Sequence, residues 1–186
     1  MVDGLDGSGK STAADILAEG LRARGRTVVV HTHPGDGSFA GRVASECLLK
    51  RGRPAILVMA FFYFVDILHS IWVLRRSDRD YDDVIFVRYL LEAAYFPDSL
   101  YRVGHAIPAG VLPEPDVSIL VDVDPDVAME RVRSRGGEVE VYENPAHMER
   151  TRRHMLELSE GWHVIDNNGS EERLESQLHT LLDSIL

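Results

Sequence analysis

Apolar residues along this chain fall into two recurring patterns. Short continuous runs rich in β-branched residues, at 27–30, 84–87, 117–123 and 162–165, read as strands covered on both faces. Between them lie stretches with helical spacing. Ala13, Leu17 and Leu21 recur every four residues with Ile16 alongside, and Gly25 supplies a stop. Leu174, Leu178, Leu181, Leu182 and Ile185 line one face of a last helix that Ser170 is placed to cap. Asp124 and Pro125 open a helix running to about Arg135, where Gly136 and Gly137 end it. Further helices are expected near 41–50 and over about 146–160, whereas 101–115, rich in glycine and proline, predicts a connection without long regular structure. Strand alternates with helix throughout, which implies an α/β fold with a parallel sheet and helices on both faces. No internal repeat or composition shift marks a boundary, so 1–186 reads as one domain.

One stretch raises the question of a membrane. Residues 55–74 are almost wholly apolar and long enough to span a bilayer as a helix, with basic residues on either side. Asp66 near the centre would cost about 2.5–3.5 kcal/mol there, and His69 and Ser70 add polarity. The segment is therefore expected to be a soluble helix buried on most sides, in the core or against a partner subunit.

The densest chemistry lies at the start: Gly4, Leu5, Asp6, Gly7, Ser8, Gly9, Lys10 and Ser11, followed by Thr12. This spacing fits a phosphate-binding loop, in which a glycine-rich turn aims backbone N–H groups at one anion as a helix begins. Lys10 is placed to reach terminal phosphates and the Ser11 hydroxyl to ligate magnesium. Such a loop follows a strand, and only Met1, Val2 and Asp3 precede Gly4. A buried strand usually runs to about five residues, so the natural chain is expected to begin further upstream.

Charge narrows the partners. With 20 basic and 30 acidic residues the net charge is −10, which disfavours nucleic acid or an anionic membrane as the main partner. Phosphate binding must then come from local geometry. Cys47, the only cysteine, permits no internal disulfide, consistent with the cytoplasm, and no secretory signal precedes the loop. His31 and His33 share a face of an extended strand, but a third ligand at suitable spacing is lacking, so they read as ordinary strand-end histidines.

Several separated pieces resemble the thymidylate kinases of the nucleoside monophosphate kinase group. Residues 4–12 are similar to that family's glycine-rich motif, including the acidic Asp6. Pro115-Asp116-Val117, then Asp122-Val123-Asp124-Pro125 and Glu130-Arg131-Val132-Arg133-Ser134-Arg135-Gly136 resemble its fourth strand, following helix and the start of its lid. Glu149-Arg150-Thr151-Arg152 with Leu156-Glu157-Leu158 resembles the helix after the lid, and Val164-Ile165-Asp166 the last strand. The resemblance implies a P-loop NTPase fold with a five-stranded parallel sheet and a short lid at about 136–146. It implies a homodimer built on the apolar 55–74 helix, and ATP with Mg2+ phosphorylating deoxythymidine monophosphate. On it, Lys10 holds donor phosphates, Ser11 the metal, and Arg88 bridges donor and acceptor. Arg133 and Arg135 are lid arginines, Asp6 lies near the acceptor sugar, and Tyr63 lies against the base.

The chain also departs from that family. An Asp-Arg pair at the end of the third strand is here Val87-Arg88, which leaves the metal to Ser11, the phosphates and a carboxylate such as Asp122. The apolar helix carries Asp66-Ile67 in place of Asp-Arg, Thr32-His33-Pro34 stands for Arg-Glu-Pro, and the lid's Asp-Arg is Glu140-Val141. The losses cluster on the acceptor side. A kinase with a different acceptor, and an ATP-binding protein that senses or partners without catalysis, therefore stay open beside the thymidylate reading.

Overall fold

The computed structural model describes residues 1–35, 37–48, 53–77, 80–134 and 145–186. Five strands form one sheet: β1 (Val2–Gly4), β2 (Val28–Thr32), β3 (Asp83–Val87), β4 (Ile119–Asp122) and β5 (His163–Asp166). The order is β2-β3-β1-β4-β5 and every pairing is parallel, as the alternation of strand and helix requires. β1, three residues long, is the central strand, pairing with β4 at three positions and with β3 at Val2 and Val87.

Among the described residues, seven α-helices connect and cover the strands: α1 (Lys10–Ala23), α2 (Phe39–Leu48), α3 (Arg53–Arg76), α4 (Tyr101–Val111), α5 (Pro125–Ser134), α6 (Pro145–Leu158) and α7 (Glu171–Ile185). Successive strand residues alternate between faces. Val2, Ile85, Val87, Ile119 and Val121 pack with α1 and α7 on one side. Phe86 and Leu120 turn to the other, toward α3 and α6. Gly25, at φ +81°, ends α1: its N–H and that of Arg26 bond back to Arg22 and Leu21.

The stretch 101–115 is not irregular: most of it is α4. Its glycines and proline read as breakers, yet Gly104 lies where a Cβ would strike the Phe96 ring at 2.7 Å, so glycine there serves packing. Tyr101, buried, stacks on His154 of α6 at 3.7 Å between ring centroids. Val103, Ile107 and Val111 lie four apart, a helical spacing masked by the residues between them. Ser170 occupies the N-cap position of α7 in extended conformation but makes no side-chain bond to the helix backbone.

α3 passes the length and apolarity test for a bilayer span. It is nonetheless part of the protein's core: Met59, Tyr63, Asp66 and Ile67 are buried. Burial covers one face of it. Val58, Phe61, Leu68, Trp72 and Val73 are exposed, so within a single chain the helix is not covered on most sides.

Candidate active site

The loop between β1 and α1 is held open by its glycines. Gly7 and Gly9 have φ of +82° and +88°, and a Cβ on Gly7 would lie 2.4 Å from the Ala128 carbonyl at the start of α5. On Gly9 it would meet the Asn167 amide nitrogen at 2.4 Å. That amide donates 2.7 Å to the Ser8 carbonyl and braces the loop from beyond β5. Leu5 anchors the loop in the core, while Ser11 and Thr12 are exposed where α1 begins. This is a cradle for an anion, formed by N–H groups at a helix N-terminus with no side chain in the way.

Lys10 is buried, and its ammonium donates to the Leu5 carbonyl at 2.9 Å and to Asp6 at 3.0 Å. Asp6 also receives the guanidinium of Arg88 and, at 2.9 Å, the hydroxyl of Tyr95. Burial alone would raise the Asp6 pKa, but the Lys10 and Arg88 charges overcome it and hold the carboxyl far below the usual range. Lys10 is displaced in the opposite sense to its pairing: burial pushes its ammonium down although Asp6 and Glu92 oppose that.

Arg88 follows β3 directly, at the carboxyl edge where open α/β sheets bind ligands. Its φ of 60° is left-handed, unusual for a residue with a Cβ. Asp3 explains how it is held. This buried carboxylate accepts the backbone N–H groups of Tyr89, Leu90 and Leu91 at 3.1–3.3 Å, capping the 3-10 turn Leu91–Tyr95. Tyr63 completes the frame from α3, its hydroxyl donating 2.7 Å to the Arg88 carbonyl. Glu92, on the turn, stands 3.7 Å from the Arg88 guanidinium.

Lys10, Asp6, Arg88 and Tyr63 are thus brought together at the phosphate loop, whereas Asp66 and Asp122 are engaged elsewhere. Asp66 sits in its own buried knot: His33 at 2.8 Å, the Gly35 N–H at 2.8 Å and the Ser38 hydroxyl all meet its carboxylate. Both Asp122 oxygens receive Arg152 of α6 at 2.8 Å. For magnesium, Ser11 therefore offers an open hydroxyl and Asp122 a carboxylate already shared with Arg152. Arg133 is exposed in the last turn of α5. Arg135 and residues 136–144 of the lid expected at about 136–146, with Glu140 and Val141, lie outside the described residues, and Pro145 and Ala146 already belong to α6. Asp3, Glu92, Tyr95, Arg152 and Asn167 enter the site or its frame without having been singled out for it.

Comparison with known proteins agrees with this geometry. A sequence profile of the family described as thymidylate kinase matches residues 2–178. A probable thymidylate kinase of Archaeoglobus fulgidus is 30% identical, with 100% of this chain and 94% of the relative covered. A thymidylate kinase of Rhodopirellula baltica is 31% identical, covering 93% of this chain and 75% of its own. In fold, the chain is similar to the solved thymidylate kinase from Candida albicans, with a TM-score of 0.75 at 20% identity over 98% of this chain and 89% of that one. The chain therefore belongs to the thymidylate kinase family, a group of ATP-using nucleoside monophosphate kinases.

Proposed function

We propose that this protein transfers the γ-phosphoryl group of ATP to deoxythymidine monophosphate, giving ADP and dTDP. A phosphate oxygen of the acceptor attacks the γ-phosphorus as the bond to the β,γ-bridging oxygen breaks, and the charge developing on the oxygens is what the protein must stabilise. The observation that carries this reading is Asp6, which ties the cation of the donor loop, Lys10, to the cation beyond β3, Arg88. Both cations converge on one point between a phosphate cradle and an aromatic wall.

In this reading the glycine-loop N–H groups and Lys10 bind the donor phosphates, and Arg88 spans donor and acceptor. Because Lys10 is turned back onto Leu5 and Asp6, donor phosphates have to draw it out of the loop's own carbonyl. Magnesium, when bound, neutralises part of the phosphate charge; we assign it to Ser11 and Asp122. We assign Arg133, in the last turn of α5, and Arg135 as the arginines that meet the transferring group, with the lid expected at about 136–146, in what we read as one kinase domain. Tyr63 and Asp66 build the acceptor side, Asp66 by fixing the loop that carries His33. The apolar residues that α3 leaves exposed support a homodimer through that helix, and we place the protein in the cytoplasm.

A second reading keeps the kinase and changes the acceptor. It is favoured by Ile67, fully buried where the resemblance implies an arginine. Coupled ADP release across a panel of nucleoside monophosphates tests both. The first requires turnover with dTMP, the second turnover with another monophosphate and no thermal stabilisation by dTMP. ATP binding without turnover on any of them leaves the non-catalytic reading.

A further inference from the structure

Glu92 has no part in the phosphate chemistry described so far, yet it sits at the junction of the two halves of the site. On one side its carboxyl lies 3.7 Å from the Arg88 guanidinium. On the other it lines a cavity walled by Tyr63, Phe64 and Phe96, in which it is the one charged residue among the described residues. Its side chain is 20% exposed. A carboxyl so placed lies at the end of an aromatic slot beside Arg88.

We propose that Glu92 is a specificity-determining residue of the acceptor side, whose carboxyl hydrogen-bonds the nucleobase edge. This rests on the thymidylate reading above. A protonated carboxyl offers one donor and one acceptor side by side, which matches an adjacent N–H and C=O such as those of a thymine ring. The ionised form offers acceptors only and mismatches the base carbonyl. The surroundings favour the acid: burial, then the negative charges of Asp6 and Asp3 against Arg88 and Lys10, raise its pKa to about 8.

The other titratable groups around it are Lys10 and Asp6 from the loop, Asp3 from β1, Arg88, Tyr89 and Tyr95 on its own segment, and Tyr63 from α3 with His33 behind it. Tyr63 and Tyr95 are raised well above 10 and stay neutral. Burial lowers His33, so it too stays neutral at alkaline pH. Lys10, which is also lowered, is the one competing source of a pH effect.

Calorimetric titration of the full chain with dTMP at pH values from about 7 to about 9 separates these contributions. If only the protonated form binds, linkage gives a loss of about tenfold in affinity over that range for a group titrating near 8. Glu92→Gln, whose amide keeps a donor and an acceptor at every pH, holds dTMP affinity within about threefold of the parent at pH 7 and removes the pH dependence. Glu92→Ala loses about tenfold at pH 7. The proposal is overturned if Glu92→Gln keeps the parent's pH dependence, which assigns it to Lys10, or binds as weakly as Glu92→Ala. Should Glu92→Ala not fold, the glutamine comparison decides alone. A parent protein that binds ATP but no dTMP at any pH overturns the thymidylate reading instead, and this proposal with it.

Discussion

The carboxylate of Asp6, in the phosphate loop, and the guanidinium of Arg88, 82 positions later and at the end of the adjoining strand, form a hydrogen-bonded ion pair. The pair is partly shielded, at 14% and 26% side-chain exposure, so both charges act at reduced screening. Replacing Arg88 by methionine keeps side-chain bulk and removes the charge that we propose meets the transferring phosphate. Expected is a fall of about 10²–10³ in kcat with little change in the donor KM. A loss confined to the acceptor KM would show that Arg88 only binds.

Asp3 governs Arg88 without touching it. Its three backbone acceptances set the turn after β3, and an asparagine there replaces an acceptor oxygen with a donor facing N–H groups. Asp3→Asn should lower stability by about 1–3 kcal/mol and reduce kcat as well. Urea unfolding reads the first and steady-state kinetics the second. Unchanged turnover in a destabilised variant would confine Asp3 to folding.

Asp66 gives a contrasting prediction on the acceptor side. Alanine there leaves His33, Ser38 and the Gly35 N–H without their shared acceptor and should cost about 2–4 kcal/mol. The acceptor KM should rise with ATP affinity unaffected, since the knot lies on the loop after β2 and not on the phosphate cradle. Equal losses for both substrates would count against that division.

Two groups at the site contribute to the pH dependence of stability with opposite sign. Asp6 is depressed in the folded protein, so its contribution is present above about 3.9, its unfolded value, and is lost as pH falls through the folded one. Glu92 is raised to about 8. The folded state keeps a proton that the unfolded chain releases above about 4.3, so stability declines as pH rises from there toward about 8. Between about pH 5 and about pH 8 the urea midpoint of the parent should therefore decline relative to that of Glu92→Gln. An identical pH profile in the variant would place the titrating group elsewhere.

Which parts were legible in the sequence follows from how far apart their partners lie. The glycine loop and the strand runs are local patterns, and they led directly to the fold. Arg88 was legible because an arginine directly after a buried run is itself a local signal. Asp3, Asn167 and Arg152 were not: their partners lie 86, 159 and 30 positions away, and no spacing links them. A buried carboxylate just before the glycine loop was the one available sign for Asp3. The α4 helix was obscured for a different reason, because Gly104 and Pro108 signal a break unless their packing is known.

The central claim, phosphoryl transfer from ATP to dTMP across the Lys10–Asp6–Arg88 cluster, is tested most directly by separating the products. Chromatography of the reaction with ATP, magnesium and dTMP should recover dTDP and ADP in equal amounts, and the Arg88→Met variant should yield both more slowly by the same factor. ADP without dTDP, or ATP bound with neither product formed, would contradict it.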